Sequence, residues 1–230
     1  MTDGPRFVLV HGAYHGAWCW DLLRLELERC GAAAIAVDVP VDHPDAGAEA
    51  YAAAVTASVP PGYGPVVVVG HSMAGLTIPL LPRTLDVERL VYLCALAPQP
   101  GVSFDDQNAD AGTGFVPSET PYENPDGSAS WPARGAVDLF YHDCPPALAA
   151  WAARSLRPQH WTITREVTPL RAFHDLPVTY IVAGEDRVLA PDWCRRLARE
   201  RLGVEPIEID GGHSPFLSRP AELARLLLAR

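Results

Sequence analysis

The sequence has no stretch rich in basic residues, and this absence limits the partners that the protein can bind. Acidic residues outnumber basic ones by 28 to 18, which gives a formal net charge of −10 at pH 7. The basic side chains are scattered along helix-like segments, so they form no stripe that could follow a phosphate backbone. We therefore expect neither a nucleic acid nor a membrane among its partners.

Long apolar runs, a secretion signal and a cysteine framework are missing as well. No uninterrupted apolar run approaches the roughly 20 residues that cross a bilayer. The first residues enter a strand-like segment without the basic and apolar regions of a signal peptide. The five cysteines are an odd number, widely spaced and without a C-x-x-C pair, which argues against disulfides. These features predict a soluble, cytoplasmic protein.

What the sequence does contain is an alternation of strand-like and helix-like segments. Six short apolar runs are predicted as strands, namely Arg6–Val10, Ala34–Asp38, Pro65–Val69, Arg89–Ala95, Val178–Ala183 and Val204–Ile209. Segments rich in alanine and leucine, with helical spacing, lie between most of them. Such alternation is typical of a parallel sheet covered by helices on both faces. We predict an α/β fold with a mostly parallel six-stranded sheet.

The alternation stops between residues 98 and 175. This region contains no clean strand, accumulates proline, glycine and aromatic residues, and is too long for a simple connection. We expect a lid inserted after the fourth strand, and a core formed by residues 1–97 and 176–230. Aromatic residues of the lid are candidates for lining a pocket, although most would only pack the lid onto the core. They are Phe115, Tyr122, Trp131, Phe140, Tyr141, Trp151 and Trp161.

The most informative segment joins four consecutive valines to a serine among small residues. Val66–Val69 is followed by Gly70–Gly75, which reads GHSMAG. A buried strand that turns sharply around one serine is typical of a nucleophile elbow, whose strained backbone requires small neighbours. Ala74 stands where the usual G-x-S-x-G pattern has its second glycine. We predict that Ser72 is a nucleophile; the alternative is an ordinary turn serine.

A nucleophilic serine needs a base that removes its proton and an acid that orients the base. Asp186 follows the fifth predicted strand and His213 follows the last one, after two glycines. With Ser72 they appear in the order Ser, Asp, His that α/β-hydrolases use. Glu185 is the alternative acid, but successive residues point apart and we prefer Asp186. For His213, a surface histidine after a Gly-Gly turn is the alternative.

The loop after the first strand is expected to help hold a developing oxyanion. Backbone N–H groups are the usual donors, and we assign them to Ala13 in this loop and to Met73 directly after the nucleophile. His11 and His15 are four residues apart, a spacing that suggests a metal pair on a helix. Because they follow a strand and are separated by a glycine-containing loop, we predict no metal site.

Several of these segments resemble one known family. His11–Trp20 (HGAYHGAWCW) closely resembles the signature of the plant methylesterase and hydroxynitrile lyase branch of the α/β-hydrolase superfamily. Gly70–Leu76, the acid loop and the Gly-Gly-His loop match the same branch, so the resemblance covers the core on both sides of the lid. It implies an α/β-hydrolase fold with oxyanion amides at Ala13 and Met73, and a lid tryptophan, here Trp131, beside the substrate.

The departures from that branch favour an esterase. The lyases have a threonine where this chain has Gly12, and a lysine where it has Ser214; the resemblance implies that this lysine stabilises departing cyanide. Without these groups cyanohydrin cleavage loses its electrostatic support, whereas ester hydrolysis loses nothing. The ending Gly212–Phe216 is more typical of bacterial members. Gly12, Tyr14 and Trp131 are the expected pocket residues.

We therefore predict a serine hydrolase that cleaves a small apolar or aromatic carboxylic ester through an acyl-enzyme, with no metal or organic cofactor. Its partner would be the small-molecule ester, with a homodimer as one option for its assembly. Two alternatives remain because fold and function separate readily. One is a non-hydrolytic enzyme on the same site, such as a lyase or a biosynthetic cyclase. The other is a protein that binds a small ligand in a hydrolase pocket.

Overall fold

The computed structural model of the chain describes residues 4–107 and 120–229. The strands are β1 (Arg6–Val10), β2 (Ala33–Val37), β3 (Val66–His71), β4 (Val87–Leu93), β5 (Tyr122–Glu123), β6 (Ala129–Ser130), β7 (Val178–Ala183) and β8 (Ile207–Ile209). Six of them form one sheet in the order β2-β1-β3-β4-β7-β8, and every pairing in it is parallel. The predicted six-stranded α/β architecture is confirmed.

Helices connect the strands and cover the sheet. The α-helices are α1 (Asp21–Arg29), α2 (Ala48–Ser58), α3 (Phe104–Gln107), α4 (Ala133–Phe140), α5 (Pro146–Arg154), α6 (Thr162–Arg165), α7 (Pro191–Leu202), α8 (Pro215–Ser218) and α9 (Pro220–Leu228). Three 3₁₀-helices are Ala17–Trp20, Ser72–Leu76 and Ile78–Arg83. All six residues of β3 are buried because helices shield both faces of a parallel sheet, which explains the run of valines. The strand that carries the serine therefore lies in the core.

Prolines account for the length of one strand and the type of one helix. The last strand begins at Ile207 instead of Val204, since Pro206 has no N–H to donate to the ladder. The segment after the serine forms two 3₁₀-helices, and Pro82 lies inside the second of them, where it removes a donor that an α-helix would need. Both features leave the position of the predicted site residues intact.

The segment between β4 and β7 contains α3 to α6 and a small hairpin. No clean strand was expected in this region, and it contains one short hairpin, in which the two-residue strands β5 and β6 pair antiparallel through a turn that holds Gly127 at φ +79°. The predicted aromatic Phe115 lies outside the described residues. Within residues 4–107 and 120–229, no helix has the length and apolar character that a membrane crossing requires. We call residues 98–175 the insertion.

Candidate active site

Ser72 sits at the point where β3 turns into the 3₁₀-helix Ser72–Leu76. Its φ of +53° lies in the left-handed region, which costs a residue with a Cβ about 1–3 kcal/mol. The small neighbours predicted for such a turn are required sterically. A Cβ at Gly70 would lie 2.7 Å from Ile78 Cγ2, and one at Gly75 would overlap the carbonyl oxygen of Leu96. The backbone geometry is therefore that of a nucleophile elbow.

The loops after β7 and β8 bring Asp186 and His213 together. Nδ1 of His213 lies 2.7 Å from Oδ2 of Asp186, and both side chains are only 1% exposed. The other carboxylate oxygen, Oδ1, accepts the backbone N–H groups of Val188 and Leu189 at 2.7 and 3.0 Å. An imidazole that donates from Nδ1 keeps an unprotonated Nε2, the form that a general base needs. Glu185, the alternative acid, is exposed.

His71 connects the strand of the serine to the loop of the histidine. Its Nε2–H donates to the carbonyl oxygen of His213 at 2.9 Å, and the two rings are 4.6 Å apart. Burial holds the pKa of His71 well below its usual value, and the neighbouring His213 lowers it further. His71 is therefore neutral, and it supports the position of the His213 backbone.

Ala13 and Met73 lie with Ser72 and His213 in the wall of a single cavity. Met73 is the second residue of a 3₁₀-helix, so its N–H has no carbonyl partner within that helix. Gly12 contacts the serine directly, and a Cβ there would lie 2.7 Å from Ser72 Cβ. Gly12 therefore packs beside the serine, and its place in the substrate pocket stays a prediction.

The cavity has a volume of about 300 Å³ and mostly apolar walls. Its walls contain the two predicted residues Tyr14 and Trp131. Phe140 and Trp161, two further aromatic candidates from the lid, also line it. Side chains that the pocket prediction did not name complete the apolar walls: Leu96, Phe104, Leu139 and Val188. At the start of α3, which carries Phe104, Ser103 Oγ accepts the N–H of Asp106 at 3.0 Å and donates to its carboxylate at 2.6 Å.

Tyr14 adopts an unusual backbone conformation that the insertion maintains. Its φ of +65° lies in the left-handed region, which the sequence does not predict for a tyrosine. The N–H of Tyr14 donates to Gln159 Oε1 at 3.2 Å, and its carbonyl oxygen accepts the N–H of Arg157 at 2.7 Å. Residues on both sides of Pro158 thus hold Tyr14 in a conformation that places its ring in the cavity wall.

His11 and His15 have no ring nitrogen free for a metal. Nδ1–H of His11 donates to Gly12 O at 2.9 Å, and Nε2 accepts the N–H of Val39 at 3.1 Å. Nδ1–H of His15 donates to Ala13 O at 2.7 Å, and Nε2 accepts the Tyr141 hydroxyl at 2.8 Å. Burial lowers the pKa of His11 to about 4 and that of His15 to about 3, so both rings are neutral.

One group of possible metal ligands occurs in residues 4–107 and 120–229. The ligand atoms of Cys94, Asp186 and His213 lie within 4.8 Å of one another. These residues do not fit a metal ion well, because the carboxylate and the imidazole already bond each other. Burial also raises the pKa of the Cys94 thiol well above its usual value, whereas a metal would require the thiolate.

The geometry agrees with a comparison against known families. The sequence model described as alpha/beta hydrolase family matches residues 7–226. The chain belongs to this family. Its resemblance to the methylesterase branch is confirmed by curated relatives. Methylesterase 7 of Arabidopsis thaliana is 27% identical over 99% of this chain and 96% of its own length. Salicylic acid-binding protein 2 of Nicotiana tabacum is 28% identical over 99% of this chain and 97% of its own length.

Solved structures show the same fold. The crystal structure of polyneuridine aldehyde esterase superposes with a TM-score of 0.79. The alignment covers 98% of this chain and 98% of that one, at 24% sequence identity. The chain thus shares its overall fold with that enzyme.

Proposed function

We propose that the protein is a serine hydrolase that cleaves a small apolar or aromatic carboxylic ester. The hydrogen bond between Asp186 and His213, buried beside the cavity that Ser72 lines, carries this proposal. Relatives that cover almost the whole chain are named methylesterases, which agrees with ester hydrolysis. Residues 72, 186 and 213 are assigned as nucleophile, acid and base.

The first half of the reaction forms an acyl-enzyme. Nε2 of His213 takes the proton of the Ser72 hydroxyl while Oγ attacks the ester carbonyl carbon. The carbonyl oxygen becomes an oxyanion that accepts the N–H groups of Ala13 and Met73. The imidazolium, stabilised by Asp186, then gives its proton to the leaving alcohol, and the C–O bond to that alcohol breaks.

The second half releases the acid. Water replaces the alcohol, His213 removes one of its protons, and the resulting oxygen attacks the acyl carbon of the ester with Ser72. The same two amides hold the second oxyanion. When this intermediate collapses, the serine oxygen leaves and takes the proton back from the imidazolium, which restores the free enzyme without any cofactor.

The cavity supports a small substrate with apolar groups. A volume of about 300 Å³ is at the lower end of ligand pockets, and its walls are mostly aromatic and aliphatic side chains. The insertion contributes Trp131, Phe140 and Trp161 to these walls. We therefore assign residues 98–175 the role of a lid over a core formed by residues 1–97 and 176–230.

The local structure also disfavours a cyanohydrin lyase. A threonine at position 12 would place its Cβ 2.7 Å from the Cβ of Ser72 and 3.0 Å from Nδ1 of His71. Ser214, which stands where the lyases have a lysine, is fully buried and brings no charge.

Two further expectations stay predictions, namely a cytoplasmic location and a homodimer.

Separate replacement of two neighbouring acidic side chains by their amides tests the assignment of Asp186 as the acid of the triad. With an aryl acetate and an aromatic methyl ester as substrates, Asp186→Asn should lower kcat by about 10³–10⁴-fold, because it imposes the wrong imidazole tautomer. Glu185→Gln should change kcat less than about twofold, since this side chain faces solvent. Full activity in Asp186→Asn would contradict the triad. Absence of turnover in the native protein would favour the lyase, cyclase or ligand-binding alternatives.

A further inference from the structure

We propose that three consecutive residues of the insertion, Tyr141, His142 and Asp143, are positioning residues. They hold the three catalytic loops in fixed positions relative to one another. These loops are the oxyanion loop at Ala13, the acid loop before Asp186 and the histidine loop before His213. The three residues directly follow α4 and are here called the Tyr141–Asp143 segment. The inference extends the proposed function and rests on it for its kinetic readout.

Tyr141 reaches the oxyanion loop through one intermediate side chain. Its hydroxyl donates to Nε2 of His15 at 2.8 Å, and Nδ1–H of that ring donates to the Ala13 carbonyl oxygen at 2.7 Å. All of Tyr141 and nearly all of His15 are buried. This chain of two hydrogen bonds fixes the peptide between Ala13 and Tyr14, which directly follows the N–H assigned to the oxyanion.

His142 holds the acid loop. Its Nε2–H donates to the carbonyl oxygen of Glu185 at 3.1 Å, and Glu185 directly precedes the acid of the triad. The N–H of Glu185 donates to Gly211 O at 2.9 Å, so this loop also touches the histidine loop. Nearby, Nη1 of Arg187 donates to the carbonyl oxygen of Asp138 in α4 at 3.3 Å.

Asp143 holds the histidine loop. Its Oδ2 accepts the N–H of Gly212 at 2.9 Å, and Gly212 directly precedes His213. Because the acceptor is a carboxylate, this hydrogen bond is stronger than one between neutral groups. The backbone of His213 is thus held on both sides, by Asp143 through the preceding residue and by His71 through its own carbonyl oxygen.

The two glycines before His213 support this assignment. A Cβ at Gly212 would lie 2.5 Å from Nε2 of His142 and 3.0 Å from Oδ1 of Asp143. At Gly211, where φ is +92°, a Cβ would overlap the Asp143 carboxylate and lie 2.6 Å from Nε of Arg219. The Gly-Gly pair is therefore needed for the side chains of the insertion to approach the backbone of the histidine loop.

The segment also connects the substrate cavity to the reacting groups. Leu139 and Phe140, the last two residues of α4, line the cavity, and the three positioning residues come next. A side chain that packs on substrate and the groups that hold the catalytic loops thus belong to one continuous stretch. Misplacement of catalytic groups by even 1 Å can cost about 100-fold in rate, so these contacts should affect kcat more than KM.

The decisive variant is Asp143→Ala, with Asp143→Asn as the conservative rescue. Asp143→Ala leaves the Gly212 N–H without its acceptor and should lower kcat at least about tenfold, with KM within about twofold of the native value. Asp143→Asn retains an oxygen acceptor and should restore most of kcat. Asp138→Ala is the matched control and should keep native kcat, since the side chain of this aspartate of α4 is exposed and its contact with Arg187 is made by the backbone carbonyl.

Proton NMR separates positioning from a general loss of stability. The strongly hydrogen-bonded Nδ1 proton of His213 should give a far-downfield resonance in the native protein, in Asp143→Asn and in Asp138→Ala. It should be lost or broadened in Asp143→Ala at a temperature where circular dichroism shows the variant fully folded. Native kcat and an unchanged resonance in folded Asp143→Ala would overturn the inference, as would failure of Asp143→Asn to restore both.

A second variant covers the case in which Asp143→Ala does not fold. Tyr141→Phe removes one hydroxyl from a buried ring and should lower kcat about five- to tenfold while the His213 resonance stays unchanged. Native kcat in folded Tyr141→Phe would contradict the role given to the segment. If the native protein hydrolyses no ester, the proposed function fails, and the His213 resonance in the Asp143 variants still decides whether the segment positions that side chain.

Discussion

At the scale of single residues, Ser72 is held in a backbone conformation that its side chain disfavours. Its φ of +53° would suit glycine, yet the chain has a residue with a Cβ there. The neighbours make the turn tolerable, because Gly70 and Gly75 lack the Cβ atoms that would collide with Ile78 and the Leu96 carbonyl. Strain of this kind is often found where a side chain must be presented for reaction.

Two substitutions of Ser72 should separate this strain from the chemistry. Ser72→Ala and Ser72→Gly both remove the hydroxyl and should both be inactive. Ser72→Gly should be more stable than Ser72→Ala by about 1 kcal/mol, because only glycine adopts this φ without a steric cost. Urea unfolding followed by circular dichroism measures the difference. Equal stability of the two variants would contradict a strained turn at this position.

At the scale of secondary-structure elements, the insertion is fixed to the core by specific hydrogen bonds as well as by apolar packing. Oε1 of Glu166 accepts the N–H of Ala48 at 2.6 Å, at the first residue of α2. Gly47 precedes the helix and supplies no side-chain cap, so the carboxylate from the insertion acts in its place. Its negative charge also suits the positive end of the helix dipole.

Removal of this cap should weaken the attachment of the insertion. Glu166→Ala should lower the free energy of unfolding by about 1 kcal/mol, the typical value of an N-cap interaction. Glu123→Ala is a suitable control, because that glutamate is exposed in the small hairpin. Chemical denaturation of both variants gives the comparison. A loss in Glu166→Ala no larger than in Glu123→Ala would show that the cap has no net effect.

The sequence allowed the elements around the site to be predicted because its signals are local. Strand periodicity and the order of Ser72, Asp186 and His213 depend on short segments, and the structure places these residues at the ends of β3, β7 and β8. The contacts of Tyr141 and Asp143 could not be predicted. They join residues 126 and 69 positions apart and depend on how the insertion folds back over the sheet.

At the scale of the whole molecule, three buried histidines link stability to pH. His11, His15 and His71 are at most 1% exposed, and burial lowers the pKa of each below its ordinary value of about 6.5. They are neutral in the folded chain, whereas in the unfolded chain they gain a proton below pH 6.5. The unfolded state therefore binds more protons in acid, and acid destabilises the fold.

The free energy of unfolding should change little between about pH 7 and 8 and fall as pH decreases from about 6.5 towards 4. Each buried histidine contributes a slope of about 1.4 kcal/mol per pH unit in this range. Urea unfolding at pH 7.5, 6 and 5 measures it. His174→Gln, at an exposed histidine, should leave the slope unchanged, whereas His11→Gln should reduce it. Equal stability of the native chain at pH 7.5 and 5 would contradict the claim that these histidines are buried in their neutral form.

The central claim is that Ser72 forms an acyl-enzyme, and a burst experiment tests it most directly. The native protein is mixed rapidly with an activated aryl acetate, and release of the aryl alcohol is followed in the first turnover. We predict a burst equal to the enzyme concentration, with a matching acetyl adduct on the Ser72 peptide in mass spectrometry, and neither in folded Ser72→Ala. A burst of the same size in Ser72→Ala, or an adduct on another residue, would contradict the assignment.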